Sequence, residues 1–290
     1  MEINNLTPVE EHDGLLYKRD DLFLPFGEYG TSGGKVRQAI SLIGENINNI
    51  KDNYKGTIVT HTQVHSTTGT ILTRVAKHFG IKCIICVGGT NPKSLKNHHM
   101  MMLAEHWGGE IRNMCGHGMH APVMNRLRKL AEEENYFNAV FSDNISFYPE
   151  SVLDTTANQV KNIPDKLENM VISVGSGIQM AGILRGVVKY KKQIKNIYGV
   201  CIGPDRRKKI DYYVNPFEYF PLPKYKMITL DTQYGKGATE FFNGGQMDEL
   251  YEAKAHRWMK DNINLDKKTL FWIVGRRLTK QEVKDNIICT

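Results

Sequence analysis

A lysine that follows two glycines and opens an amphipathic helix is the strongest chemical signal in the chain. In Thr31-Ser32-Gly33-Gly34-Lys35-Val36-Arg37, the residues behind Lys35 place Val36, Ile40, Ile43 and Ile47 at helical spacing, so one face is pinned to a core and the first turn is held rigid. A lysine presented there, with glycines clearing space for something bound, is suited to forming an imine once its pKa is lowered. Taken alone, the stretch reads more readily as a glycine-rich loop before a surface lysine. Two other stretches change that balance.

The first is Val174-Gly175-Ser176-Gly177-Ile178-Gln179-Met180-Ala181-Gly182, between an apolar strand and a helix. Glycines let consecutive backbone N–H groups point at one phosphate, and the helix adds its positive end. The stretch lacks the lysine of a P-loop and fits a dinucleotide fingerprint poorly, so a monophosphate suits it better than a nucleotide. The second is His61-Thr62-Gln63-Val64-His65-Ser66-Thr67-Thr68-Gly69, again after a strand and before a helix. Hydroxyls and free N–H groups at a helix start can hold a carboxylate, and four small polar residues in a row exceed what one N-cap needs. Cys83-Ile84-Ile85-Cys86 has redox spacing but lies in an apolar strand, where buried core cysteines are the plainer reading. Cys115, His117 and His120, with His98 and His99, match no common zinc spacing, and no metal is expected.

The elements that must position these groups alternate along the chain. Short strands are expected at Thr57 to Thr60, Lys82 to Val87, Glu110 to Met114, Met170 to Val174, Ile197 to Ile202 and Thr269 to Val274. Helices are expected near Thr68 to Phe79, Pro92 to Trp107, Pro122 to Glu134, Ser151 to Val160 and from the glycine turn to Tyr190. This alternation implies an α/β protein of two lobes, each a mostly parallel twisted sheet covered by helices, with ligands at the carboxyl ends of the strands. Length (290 residues) and 41% hydrophobic content support a sizeable core. Neither an N-terminal basic-then-apolar leader nor an apolar run of about 18 residues is present, and the five cysteines follow no disulfide spacing. A cytoplasmic protein without a membrane segment is expected.

The net charge of +7 is concentrated. Arg185 to Lys226 hold eleven Lys/Arg against Asp205, Asp211 and Glu218, a net +8, so the remainder is −1. A solvated surface accounts for such a run, and so does a polyanion, with Arg206, Arg207, Lys208 and Lys209 as its contacts.

Ser32-Gly33-Gly34-Lys35-Val36-Arg37, Ser66-Thr67-Thr68-Gly69, Gly175-Ser176-Gly177 and Asp231-Thr232-Gln233-Tyr234-Gly235-Lys236 occur in the order found in the tryptophan synthase β-like, fold-type-II family of pyridoxal-phosphate (PLP) enzymes. Within it the chain most resembles the D-cysteine desulfhydrase and aminocyclopropane-carboxylate deaminase branch, over about residues 14 to 277. The resemblance implies PLP as cofactor, bound as a Schiff base by Lys35, with its phosphate on the backbone of Gly175, Ser176, Gly177, Ile178 and Gln179. It implies that Ser66, Thr67, Thr68 and Gly69 face the substrate carboxylate, that Ser66 assists proton transfer, and that Tyr234 contacts the ligand. Gly34 and Thr67 stand where the family commonly has asparagines, the second of which contacts the ring hydroxyl of PLP. Gly235 stands where the deaminase branch has a glutamate or threonine on the pyridine nitrogen, so that partner is unassigned. Residues 1–45 plus 149–290 are expected to form the PLP-binding lobe and residues 46–148 a smaller lobe carrying the carboxylate turn; a homodimer is the family's habit.

The resulting expectation is a PLP-dependent lyase acting at Cα of an amino acid or derived amine, by deamination or β-elimination. Two alternatives stand beside it. One is a decarboxylase of an amino-acyl adduct on DNA, in a bacterial-virus pathway that hypermodifies thymidine. The other is a non-catalytic descendant that binds a ligand or nucleic acid, against which the retained Lys35 speaks.

Overall fold

The computed structural model describes residues 2–27, 31–88, 91–115, 120–214, 222–232 and 235–289. Its strands are β1 (Val9–His12), β2 (Leu15–Arg19), β3 (Thr57–His61), β4 (Lys82–Gly88), β5 (Gly109–Cys115), β6 (Phe137–Asn138), β7 (Lys166–Val174), β8 (Gln193–Cys201), β9 (Tyr225–Thr229), β10 (Phe241–Phe242), β11 (Gly245–Gln246) and β12 (Thr269–Ile273). The helices are α1 (Gly34–Glu45), α2 (Ile47–Asn53), α3 (Thr68–Phe79), α4 (Pro92–Lys96), α5 (His99–His106), α6 (His120–Glu133), α7 (Phe141–Asn144), α8 (Thr155–Ala157), α9 (Ile178–Lys189), α10 (Arg207–Val214), α11 (Glu252–Asn262) and α12 (Lys280–Cys289).

Two compact units divide the chain: Met1–Phe23, Ser32–Gln38 and Ile145–Arg276 form one, and Leu24–Thr31, Ala39–Asn144 and Arg277–Thr290 the other. The first holds a six-stranded sheet in the order β1-β2-β12-β7-β8-β9, parallel except for the β1–β2 hairpin. The second holds a four-stranded, fully parallel sheet in the order β5-β4-β3-β6. The central strands β7 and β12 are apolar runs buried on both faces, as parallel strands covered by helices require. Val171, Val200, Phe271 and Ile273 pack on Ala253, Ala255 and Met259 of α11, while Val59, Ile84 and Cys86 pack on Val123 and Leu127 of α6.

These units correct the expected division at 1–45 plus 149–290 against 46–148. The C-terminal helix belongs with the smaller sheet, because Leu278 and Val283 bury themselves against Leu103 and Trp107. The division also falls within α1, after Gln38. Other expected elements are broken. The first helix stops at Glu45 and restarts at Ile47, so Leu42 and Ile50 are buried beside Ile43 where the periodicity placed Ile47. The helix expected from Pro92 to Trp107 is two, α4 and α5, and the one over Ser151 to Val160 is an irregular succession of π, α and 3-10 turns. Cys83 and Cys86 are buried in β4 with thiol pKa values pushed up to about 12 by burial, which removes them as redox groups.

Candidate active site

The ground under Lys35 is fixed by the end of the central strand β12. Gly34 N donates to Val274 O at 3.0 Å, Gly33 N donates to Phe23 O at 3.2 Å, and Ser32 Oγ accepts from Arg276 N at 3.1 Å. Gly33 has φ +95°, and a Cβ there would lie 2.4 Å from Val274 O, so only glycine lets the chain turn against this strand. Arg37 is fully buried, paired with Asp20 at 3.4 Å and stacked over Phe23 at 4.1 Å; it anchors the first turn of α1 from beneath. Lys35, the second residue of this helix, is half-buried.

Beside β12 in the sheet, β7 ends at Val174 and leads into the glycine turn and α9. Gly177 caps α9 with φ +95°, and a Cβ on Gly175 would sit 2.9 Å from the Tyr251 ring. The first N–H groups of a helix have no intrahelical partner, so those of Ile178 and Gln179 project from this turn, with Ser176 Oγ at 3.5 Å from Ile178 N. Lysine helix and cradle therefore stand at the carboxyl ends of neighbouring parallel strands. A helix start with no acid in its first turn suits a phosphate, and a side chain on either glycine would press on Tyr251 or Ile210.

The glycine before Lys35 has a local cause. A Cβ on Gly34 would meet Gln179 Oε1 at 2.4 Å. Gln179 is buried in a polar network in which its Nε2 donates to Gln38 Oε1 at 2.9 Å and its Oε1 accepts from Thr156 Oγ1 at 3.1 Å, while Gln38 Nε2 donates to Val152 O at 2.6 Å. The Gln179 side chain thus takes the space an asparagine at 34 would need. Only its backbone is left for a phosphate.

The four basic residues expected to contact a polyanion are separated by the structure. Arg206 Nε donates to the Gly175 carbonyl at 3.0 Å, which places a cation against the cradle turn, while Arg207, Lys208 and Lys209 are exposed on the first turn of α10. Elsewhere in the +8 stretch, Arg185 donates to Asp154 at 3.0 Å, Lys192 to Asp165 at 2.7 Å and Lys195 to Glu168 at 2.7 Å.

Glu252 is a functional candidate that sequence reasoning missed. It starts α11 and is 1% exposed, accepting from Ser173 Oγ at 3.2 Å and from the backbone N–H of Val274, so it is wedged between the ends of β7 and β12. Burial, with Asp248 adding a like charge, lifts its pKa well above the usual carboxylate range. An ionised carboxylate there would cost several kcal/mol, so the surroundings favour the protonated form. Tyr251-Glu252 carries the tyrosine-then-glutamate order that the resemblance sought at Tyr234-Gly235. Gly235 is in an exposed turn, and Tyr234 and Gln233 lie outside the described residues.

In the other unit, the turn before α3 gathers the small polar residues that the sequence reading singled out, bonded to one another. Thr67 stands at the N-cap position without a side-chain cap bond, Ser66 Oγ lies 3.1 Å from Thr68 Oγ1 and accepts from Thr68 N at 3.3 Å, and Gly69 N donates to Thr62 Oγ1 at 3.4 Å. A Cβ on Gly69 would press on Thr62 and Ile85. The side chains of Cys115 and His120, and His117 altogether, fall outside the described residues. His98 and His99 stack on each other at 4.8 Å.

Residues 1–210 match the family described as pyridoxal-phosphate dependent enzyme. The chain belongs to this family. Its cofactor is PLP, and Lys35, the Gly175–Gln179 turn and Glu252 fit that group in amine, phosphate cradle and buried acid. Over 211 residues the enzyme is 31% identical to the O-seryl-dTMP PLP-dependent decarboxylase of Salmonella phage ViI, covering 68% of this chain but only about half (49%) of that relative. Over 295 residues it is 24% identical to the glycyl-dTMP PLP-dependent decarboxylase of Pseudomonas phage M6, covering 95% of this chain and 100% of the relative. Among solved structures it is similar to an ACC deaminase homologue (TM-score 0.76, 20% identity, 100% of this chain and 95% of that one). It also resembles a PLP-dependent aspartate racemase (TM-score 0.67, 17% identity, 96% and 92%). At those identities the likeness establishes the α/β fold of type II alone.

Proposed function

We propose that the enzyme is a decarboxylase of an amino acid carried on a thymidine nucleotide. The observation that carries this reading is the match to two phage proteins described as aminoacyl-dTMP decarboxylases, one of them along its whole length. A serine attached through its side-chain oxygen keeps its α-amine and α-carboxylate, the two groups that a PLP enzyme must hold. When bound, the cofactor draws off the electron pair left at Cα as CO2 departs. Lys35 supplies the amine that retains the cofactor and the acid that returns a proton to Cα. Gly175 to Gln179 hold its phosphate, with Arg206 adding positive charge. The buried carboxyl of Glu252 would hold a proton for the pyridine nitrogen, the role that Gly235 has no side chain to fill. Ser66 to Gly69 hold the carboxylate, with the Ser66 hydroxyl assisting proton transfer and Tyr234 as a ligand contact. The exposed Arg207, Lys208 and Lys209 suit the backbone of a DNA strand carrying the adduct.

The test is product analysis. PLP-loaded enzyme is incubated with seryl and glycyl adducts of thymidine 5′-phosphate and the nucleosides are identified by mass spectrometry. Loss of CO2 with the amine retained supports decarboxylation. Release of ammonia and a keto acid supports the second reading, a deaminating or eliminating lyase, which the branch resemblance favours.

A further inference from the structure

Helices α3 and α5 of the smaller unit begin side by side, and the start of α12 packs on α5. His65 immediately precedes the turn that starts α3, His98 and His99 begin α5, and Arg277 and Lys280 flank the start of α12. Helix α5 packs on both α3 and α12, the latter through Leu103, Trp107, Leu278 and Val283. The imidazoles touch: His98 Nε2 lies 3.1 Å from His65 Nδ1, with the rings edge-on at 79°, and His98 stacks on His99 at 23°. His98 Nδ1 is buried with no partner among the described residues. Thr279 and Glu282 cap α12 reciprocally, Thr279 N donating to Glu282 Oε2 at 2.7 Å and Glu282 N to Thr279 Oγ1 at 3.2 Å, so that acid is already engaged.

We propose that this junction binds the phosphate of the thymidine nucleotide that carries the amino acid, through His65, His98, His99, Arg277 and Lys280. The assignment rests on the decarboxylase reading. Such a substrate has two anions, and Ser66 to Gly69 account for the carboxylate only. The helix starts and two cations form a field that favours a phosphate and opposes a metal cation, and the neutral imidazoles offer N–H donors to it. The imidazole rings also stack instead of converging on one point, and the described residues contain no metal-binding cluster. Burial first, then Arg277, Lys280 and the neighbouring rings, holds His98 and His99 down at about 4 and lowers His65, so all three are neutral at pH 7.

The experiment is an NMR titration of the imidazole C–H signals in the PLP-loaded enzyme, so that the cradle is already filled. The ligands are thymidine 5′-phosphate, a short oligothymidylate and thymidine. Saturable shifts with the monophosphate, absent with thymidine, support the site. An equal response to the oligonucleotide assigns it to the phosphodiester of DNA, and a weaker one to the free nucleotide. Lys280→Gln, at an exposed position, and His99→Gln should each weaken monophosphate binding about tenfold, the worth of one charge-assisted hydrogen bond, and raise KM for the adduct with kcat kept. Phosphates that leave the imidazole signals unmoved, or variants that bind as the wild type does, overturn the site. Adduct turnover without an imidazole response removes this inference and leaves the decarboxylase reading standing. An imidazole response without turnover of any adduct removes the decarboxylase reading and keeps the phosphate site.

Discussion

Gly34 and Glu252 show how single residues define this site. At Gly34 the side chain of Gln179 fills the available space, so Gly34→Ala forces an approach near 2.4 Å in a fully bonded network. Thermal unfolding should register a loss of about 1–3 kcal/mol, the ordinary cost of overpacking. The surroundings of Glu252 favour its protonated form, so Glu252→Gln preserves shape and hydrogen bonding and should leave the melting temperature unchanged or raised at pH 7. Turnover should drop by roughly 10²-fold or more, the usual scale for losing a proton-transfer partner. A large loss of stability with turnover retained would reverse its assigned role. Lys35 is legible from its two glycines and the helix behind it. Glu252 is not, because one carboxylate beside a tyrosine carries no spacing signal, and its meaning comes from the strands β7 and β12 that enclose it.

Among the strands and helices, sequence periodicity is most informative where strands are apolar on both faces. Strands β3, β4, β7, β8 and β12 and helices α3 and α9 are readable for that reason. Strand β9 and helices α10, α11 and α12 are not, since α10 to α12 mix charged residues into their inward faces, as Lys254 and His256 of α11 illustrate. The junction of α3, α5 and α12 makes a testable contribution to stability. His98 and His99 titrate near 6.5 in the unfolded chain and about 4 in the fold, so between those values the unfolded state binds more protons. Stability should therefore fall as pH drops from 6.5 towards 4, and thermal melts of a His98→Gln, His99→Gln double variant should show a shallower fall over the same window. At the cradle, Arg206→Ala removes the bond to the Gly175 carbonyl, and dialysis should strip PLP from this variant faster than from the wild type. Equal retention would mean that Arg206 only supports the turn.

Across the chain as a whole, the fold type follows from alternating elements and four motifs in register, but the allocation of Arg277–Thr290 to the smaller unit depends on apolar packing against residues far away in sequence, which no local pattern encodes. Charge is similarly ambiguous. The +8 of Arg185 to Lys226 reads as one basic run, yet Arg185, Lys192 and Lys195 are bonded to acids and Arg206 to the cradle, while Arg207, Lys208 and Lys209 are exposed. If a DNA strand lies over α10, its affinity should fall steeply with salt, and replacing Arg207, Lys208 and Lys209 should flatten the log–log slope by about 0.9 for each phosphate that no longer has a cation beside it. The absorbance of bound PLP should not change.

If Lys35-held PLP removes the carboxylate of an amino acid already attached to a thymidine nucleotide, the decisive measurement uses an adduct carrying a carbon-13 carboxylate. It is incubated in deuterated water with wild-type enzyme and with Lys35→Ala. The expected outcome is labelled CO2, a product amine still on the nucleotide with a single solvent deuteron at Cα, and neither from the alanine variant, which should also lack the visible band of lysine-bound PLP. Carbon-13 retained in a released keto acid, or equal CO2 release from Lys35→Ala, would contradict it.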